Sequence, residues 1–122
     1  MTYNKVQYKL HGSGKVLQGN SITVGGGSEM YKIYAAADKH NETIVGGGGK
    51  TVGIGGYITG GGHSVFAPKY GLAADNVWEL EIVTPGGDIV VANEDQHPNL
   101  FWAMRGVSFN HSPLTSYGDA TY

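Results

Sequence analysis

The chain contains no cysteine among its 122 residues. This absence excludes disulfide bonds, thiolate metal ligands and a cysteine nucleophile within the chain, and it leaves the redox compartment undetermined. Charge is also sparse, because 15% of the residues are charged and the formal net charge is -2. Without a basic patch to meet phosphate backbones, we expect no nucleic-acid partner.

Long apolar runs are absent as well. No run approaches the roughly 18 apolar residues that a membrane-spanning helix needs, so we expect no membrane partner. The N-terminal sequence MTYNKVQYKL lacks the apolar centre of a signal peptide. The sequence therefore predicts neither a membrane span nor an export signal, and it leaves the compartment open.

Glycine is what the sequence has in excess. The chain contains 21 glycines, about 17 per cent of its residues against a usual value of about 7 per cent. Ten of them lie in three runs within Val45–Asn76, which reads VGGGGKTVGIGGYITGGGHSVFAPKYGLAADN. Glycine loses more conformational freedom on folding than any other residue, so this concentration indicates backbone that turns sharply or approaches a ligand closely. Dinucleotide phosphates are the commonest such ligand.

Apolar periodicity predicts one α+β domain with a small mixed, mainly antiparallel sheet and flanking helices. Short strands are predicted over residues 6–10, 15–17, 21–24 and 42–45, and a β-hairpin over 77–92 with its turn at 84–88. We assign residues 1–106 to the domain and residues 107–122 to an irregular tail, because the tail has neither helical nor alternating periodicity.

Two helices have recognisable start and end signals. The first is predicted to follow Ser28 as its N-cap, and its apolar face consists of Met30, Ile33, Tyr34 and Ala37. The second is predicted to begin at Pro98, to end near Arg105 and to bury Phe101. Between residues 51 and 60 the glycines leave the choice between helical turns and coil open.

Two nucleotide-binding motifs are almost present. Gly49-Lys50-Thr51 matches the end of a P-loop, but the pattern needs a glycine where Ile44 stands. A Rossmann G-x-G-x-x-G pattern that begins at Gly53 fails because Ile58 occupies its last glycine position. Neither fingerprint is satisfied.

Catalytic and metal-binding patterns are not evident either. His63-Ser64 does not form a G-x-S-x-G motif, since Phe66 occupies its last position. The five histidines show no i, i+4 pair and no clustering with carboxylates, so we predict no metal site. For His63 a loop-closing hydrogen bond competes with a functional role, and for Asp75 a turn or cap role competes with one.

Four segments resemble, in order and spacing, the FAD-binding domain of the berberine bridge enzyme-like oxidases. This family lies within the vanillyl-alcohol oxidase and p-cresol methylhydroxylase superfamily. The segments are ITVGGGSEMYKIYAAA, VGGGGKTVGIGGYITGGGHS, KYGLAADNVWELEIVTPGGDIVVA and HPNLFWAMRG. Together they extend over residues 22–106 and correspond to the second half of the family's FAD-binding domain, a subdomain of the p-cresol methylhydroxylase type.

The resemblance implies FAD as cofactor and a small-molecule substrate. The family oxidises an alcohol, sugar or alkaloid-type substrate by hydride transfer to FAD, and dioxygen reoxidises the flavin. In this family the glycine-rich stretch lines the FAD pyrophosphate and flavin edge. The positions that carry over as cofactor-binding are Gly48, Gly49, Thr51, Val52, Gly53, Gly55, Gly56, Ile58, Thr59, Gly62 and His63, with Asp75 and Val77 as support. No catalytic base carries over.

The sequence also departs from the family pattern. Residues 1–21 contain no counterpart of the G-G-H segment whose histidine attaches FAD, and Gly49 stands where bicovalent members have a cysteine, so the resemblance implies a non-cysteinyl FAD. After the L-F-W-A-x-R-G motif the family continues with an F-G-[IV]-[IV]-T strand and a substrate domain. This chain has VSFNHSPLTSYGDATY there. We therefore expect a fragment that is truncated at both ends and incomplete for turnover, from a family whose members are often secreted.

Two alternatives stay open at this point. A catalytically inactive binding or interaction module would carry the glycine-rich stretch without any affinity for flavin. A nucleoside-phosphate enzyme would use Lys50 against a phosphate and would depend on magnesium.

Overall fold

The computed structural model of the protein describes residues 1–106 and 116–121. It confirms the predicted α+β class. The strands are β1 (Thr2–Asn4), β2 (Gln7–Lys9), β3 (Val16–Gln18), β4 (Ser21–Gly25), β5 (Glu79–Val83), β6 (Ile89–Asn93) and β7 (Ser116–Thr121). The α-helices are α1 (Met30–Asp38), α2 (Ile54–Thr59), α3 (Ala67–Tyr70) and α4 (Pro98–Ala103), and a 3-10 helix covers Ala73–Asn76.

Five strands form one sheet in the order β1-β4-β7-β5-β6, and β2 and β3 form a separate pair. The pairings within the described residues are all antiparallel. Strand β7 lies in the middle of the larger sheet, where Ala120 is in register with both Val24 and Leu80. The last described strand in sequence therefore joins the two halves of the sheet.

The predicted β5–β6 hairpin is confirmed. Its turn is closed by the N–H of Thr84, which donates to the carbonyl of Asp88 at 2.9 Å, and Gly87 adopts a φ of 87° that favours glycine. Leu80 and Ile82 point into the core with no exposed surface. The period-2 pattern of the sequence thus places one face of β5 against the helices.

Helix α1 buries the predicted apolar positions Met30, Ile33 and Ala37. Its start differs from the prediction, because Glu29 and not Ser28 occupies the N-cap position. The carbonyl of Ser28 instead accepts a hydrogen bond of 3.0 Å from the N–H of Ile54. Ser28 therefore contacts the first residue of α2 in place of acting as the local cap that the sequence suggested.

The buried core joins the sheet to α1, α2 and α4. In α2, Ile54 and Ile58 are fully buried one turn apart, which accounts for a helix in a stretch whose glycines disfavour one. In α4, Phe101 is buried as predicted, and Met104 packs beside it in the core. Tertiary packing thus decides that residues 54–59 are helical, a choice that periodicity left open.

Two predictions need correction. The predicted strand over residues 42–45 is wrong. Asn41 adopts a φ of 58° and the N–H of Glu42 donates to the carbonyl of Ala37 at 3.2 Å, so the chain reverses after α1 in a Schellman-type turn.

The predicted irregular tail is wrong for Ser116–Thr121, which form β7 between β4 and β5. This strand is stabilised by distant partners and not by its own pattern, which is why periodicity missed it. Residues 107–115 and 122 lie outside the described residues, and the domain boundary at 106 stays a prediction.

Candidate functional site

The first two glycine runs lead into α2 and lie across the start of α1. The N–H groups of Met30 and Tyr31 donate to the carbonyls of Val52 and Lys50, each at 3.0 Å. In return, the N–H of Gly55 donates to the carbonyl of Gly26 at 2.9 Å. These backbone contacts bring the N-terminal ends of α1 and α2 together beside the segment Gly46–Gly53, which we call the glycine loop.

The glycine loop presents unpaired N–H groups to solvent. Gly48, Gly49, Lys50 and Thr51 are exposed, and in the described part of the chain none of their N–H groups donates a hydrogen bond. A Cβ atom added to Gly48 would meet nothing within 4 Å. Free, exposed N–H groups in a turn are potential hydrogen-bond donors to an anion.

Two tyrosines hold backbone carbonyls of the glycine-rich stretch. The hydroxyl of Tyr34 donates to the carbonyl of Gly47 at 3.1 Å, and the hydroxyl of Tyr57 donates to the carbonyl of His63 at 2.8 Å. Burial raises the pKa of both phenols, so both remain neutral donors at physiological pH. Sequence reasoning assigned Tyr34 to an apolar helix face and gave Tyr57 no role, since nothing in the pattern indicates these carbonyl partners.

The tyrosines also explain two of the glycines. A Cβ atom on Gly46 would lie 2.5 Å from the hydroxyl oxygen of Tyr34, and one on Gly47 would lie 3.0 Å from the ring of Tyr57. The close approach that the sequence predicted for glycine therefore occurs here against side chains of the chain itself.

Helix α2 shows one glycine to solvent and one to the interior. Gly55 is buried, whereas Gly56 is exposed and an added Cβ atom would meet nothing within 4 Å. The hydroxyl of Thr59 donates back to the carbonyls of Gly55 and Gly56 at 3.2 and 3.1 Å. Gly56 therefore presents open backbone to solvent in the first turn of α2.

The third glycine run, residues 60–62, allows a tight turn and close packing within the chain. Gly61 and Gly62 adopt φ values of 97° and 74°, and a Cβ atom on Gly62 would lie 2.5 Å from the Cβ of Ala73. The N–H of Ala73 donates to the carbonyl of Gly62 at 2.9 Å. His63 is exposed, and its carbonyl is the group that Tyr57 holds.

The structure thus divides the predicted cofactor-binding positions. Between residues 48 and 56, six of them are exposed or half-exposed, namely Gly48, Gly49, Thr51, Val52, Gly53 and Gly56. Other positions have internal roles: Ile58 and Val77 lie in the core, and the Asp75 carboxylate accepts the N–H of Leu72 at 2.9 Å. Asp75 therefore caps the 3-10 helix.

Two further classes of site receive no support from the described part of the chain. Its histidine, aspartate and glutamate side chains form no group of three or more that is placed to hold a metal ion. Its helices are all too short or too polar to cross a membrane.

Comparison with known proteins identifies the family. A family model described as an FAD binding domain matches residues 8–93. The FAD-linked oxidoreductase OXR2 of Pyricularia oryzae is 46% identical over 87 residues, which are 70% of this chain and 15% of that protein. This chain therefore spans less than a fifth of that relative's length.

Solved structures agree with the family model. The crystal structure of the VAO-type flavoprotein MtVAO615 from Myceliophthora thermophila C1 matches with a TM-score of 0.81 and 36% identity, over 98% of this chain and 21% of that one. The structure of 6-hydroxy-D-nicotine oxidase from Arthrobacter nicotinovorans matches with a TM-score of 0.74 and 33% identity, over 83% of this chain and 22% of that one.

Proposed function

Because this chain belongs to the FAD-binding domain family of FAD-linked oxidoreductases within the vanillyl-alcohol oxidase superfamily, we propose that it forms one wall of the FAD site of such an enzyme. The enzyme oxidises an alcohol, sugar or alkaloid-type substrate. FAD, when bound, supplies the hydride acceptor, and dioxygen reoxidises it. The chain's own contribution is to bind and orient the cofactor.

The observation that carries this proposal is the row of unpaired N–H groups in the glycine loop. The pyrophosphate of FAD is a dianion, and free N–H groups at Gly48, Gly49 and Thr51 are suitable donors to it. The open space in front of Gly48 and Gly56 leaves room for a cofactor to touch backbone. The described residues therefore fit a phosphate-bearing ligand at this surface.

The residues that hold the backbone around the loop act as positioning residues. Tyr34 holds the carbonyl of Gly47 next to the N–H row, and Tyr57 holds the carbonyl of His63 after α2. The bond from Gly55 to Gly26 ties the first turn of α2 to the end of β4. A loop fixed before binding loses less entropy when the ligand arrives. In this proposal Val52, Gly53, Thr59 and His63 flank the cofactor, whereas Gly55, Ile58, Gly62, Asp75 and Val77 hold the backbone that carries it.

The attachment of FAD and the class of substrate extend the proposal. Gly49 offers no thiol, so we propose an FAD without a cysteinyl bond to this position. The alkaloid-type option is supported by the likeness to 6-hydroxy-D-nicotine oxidase.

Titration of the isotopically labelled chain with FAD tests the proposal. We expect weak, saturable binding, with a Kd of about 10 μM to 1 mM because one wall of a site yields only part of its binding free energy. The backbone amide signals of residues 48–53 and 56 should move with FAD concentration. If these signals stay fixed while the chain is folded, the glycine loop is not a flavin site, and the inactive interaction module becomes the better description.

The nucleoside-phosphate alternative has its own signature. Lys50 lies 5.5 Å from the ring centroid of Tyr31 and is exposed, so it is available to a phosphate at the glycine loop. That function requires magnesium-dependent binding of ATP that Lys50→Ala abolishes. Binding of FAD without magnesium that survives Lys50→Ala supports the flavin proposal instead.

A further inference from the structure

A second concave feature lies at the opposite end of α1 from the glycine loop. It is a cavity of about 880 Å³ whose walls include the last turn of α1, the segment after it and the start of β4. Small-molecule sites have volumes of about 300–1,000 Å³. The nine residues of α1 place its two ends about 13 Å apart. The cavity also reaches Ile44 and Val45, just before the glycine loop, whereas its carboxylates lie near the opposite end of α1.

Aromatic side chains form much of the cavity wall. Tyr3, Phe66, Tyr70 and Trp78 all line it. Phe66 and Tyr70 remain 39% and 53% exposed, so parts of their surfaces are not covered by the described residues. Aromatic faces attract both apolar surface and cations.

The formal charge at the cavity is negative. Asp38 and Glu42 line it, whereas no lysine, arginine or histidine does so among the described residues. Asp38 is the last residue of α1 and lies at the negative end of the helix dipole, where Lys39 follows as the C-cap residue. Glu42 is held in place by Asn20, whose side-chain amide donates to its carboxylate at 2.7 Å.

Ser21 lies in the same wall, and its hydroxyl oxygen is buried within it. The residue is 3% exposed, and its Oγ has no hydrogen-bond partner in the described part of the chain. Because this oxygen is covered, a ligand in the cavity would meet the residue but not its hydroxyl. Burial, and secondarily the Glu42 carboxylate, raise the pKa of Tyr3, so its phenol adds no negative charge of its own.

We propose that this cavity binds a protonated amine carried on an aromatic body. The aromatic walls receive the ring system, and Asp38, Glu42 and the C-terminal end of α1 stabilise the ammonium group. A pyrophosphate would be repelled by the same carboxylates, which separates this ligand from FAD. The inference goes beyond the flavin function and does not depend on it.

Three ligands with one ring system and different charges test the proposal. The isotopically labelled chain is titrated at pH 7 with tryptamine, tryptophol and indole-3-acetate, and amide shifts are followed at residues 20–22 and 38–45. Tryptamine should bind about ten-fold more tightly than tryptophol, since an ammonium near aromatic faces and carboxylates gains about 1.4 kcal/mol. Indole-3-acetate should bind more weakly than both. Equal affinities for tryptamine and tryptophol would overturn the proposal.

Matched variants separate charge from fold. Glu42→Gln and Asp38→Asn should each weaken tryptamine about three-fold or more and leave tryptophol unchanged, because both keep the shape of the side chain. Asp38→Asn also removes an unfavourable charge from the end of α1, so it should not unfold the chain. Asp88→Asn, in the exposed β5–β6 turn, is the control and should leave both affinities unchanged. Unchanged tryptamine binding in the double variant Asp38→Asn/Glu42→Gln would contradict the assignment.

A competition experiment addresses the remaining possibility. Tryptamine affinity should be the same with and without FAD. If FAD displaces tryptamine, the cavity is part of the cofactor site and the proposed separate site is wrong.

Discussion

The amide of Asn93 donates a hydrogen bond of 2.8 Å to the carboxylate of Glu79, and both side chains are buried in the sheet. The same carboxylate accepts bonds from the hydroxyl of Tyr8 at 2.8 Å, from the N–H of His11 at 2.9 Å and from its ring Nδ1 at 2.5 Å. Glu79 therefore fastens the β2–β3 region to the β5–β6 hairpin. Sequence reasoning assigned it no role beyond an interspersed polar residue.

Replacement of Glu79 by glutamine should destabilise the fold. Glutamine retains the shape but replaces one acceptor oxygen by a donor amide, which opposes at least one of the groups that now donate to the carboxylate. We expect the free energy of unfolding to fall by about 1–3 kcal/mol, measured by urea denaturation. Glu81→Gln on the same strand is the control, and an equal loss in both variants would show that the network is unimportant.

The loss of unfolding free energy at acid pH should also depend on Glu79. Burial alone would raise the pKa of Glu79, but hydrogen bonds from His11, Tyr8 and Asn93 outweigh it and hold the pKa below its ordinary value of 4.5. A lowered folded-state pKa means that the stabilisation is fully present above 4.5 and is lost as pH falls through the folded-state value. Denaturation midpoints between pH 7 and pH 2 should therefore fall more steeply for the natural chain than for Glu79→Gln; parallel curves would refute this assignment.

Gly62→Ala should destabilise the chain for a steric reason. Its φ of 74° is strained for alanine, and the new methyl group would lie 2.5 Å from the Cβ of Ala73. We expect a loss of about 1–3 kcal/mol in unfolding free energy. Gly27→Ala, where an added Cβ atom meets nothing within 4 Å, should cost less than about 1 kcal/mol. Similar midpoints for the two variants would contradict the role given to Gly62.

Gly56→Val should remove flavin binding with limited effect on the fold. The added side chain points into open space, so it meets no neighbour in the chain but obstructs a ligand that approaches the backbone. FAD affinity should fall at least about ten-fold, as measured by amide-shift titration. The matched control is Gly86→Val in the β5–β6 turn, where the nearest contact of an added Cβ atom is 3.7 Å. Unchanged FAD affinity in Gly56→Val would remove this helix surface from the cofactor site.

Local pattern predicted much of the fold because several elements carry their own signals. The β5–β6 hairpin has alternating apolar residues around a Pro-Gly-Gly turn, and α1 has a repeating apolar face. Pattern did not predict α3 or β1, which are four and three residues long. Elements this short contain too few residues for a period to show.

The glycine-rich stretch shows a similar division. Its composition predicted close approach of the backbone, and its resemblance to a known family indicated FAD. Composition did not distinguish glycines that face open space, such as Gly48 and Gly56, from those that make room for a neighbour, such as Gly46 and Gly62. The sequence shows only that the residue is glycine, and it does not show whether a ligand or a neighbouring side chain occupies the space that a Cβ atom would take.

The sequence by itself determined the α+β class, the positions of α1, α4 and the β5–β6 hairpin, and membership of the FAD-binding family, because periodicity and motif spacing are local properties. Only the tertiary structure decided that Ser116–Thr121 complete the sheet, that Glu79 joins two hairpins, and that the two ends of α1 present different surfaces. These features depend on contacts between residues far apart in the chain. Burial and hydrogen bonding across such distances are not encoded in any single window of sequence.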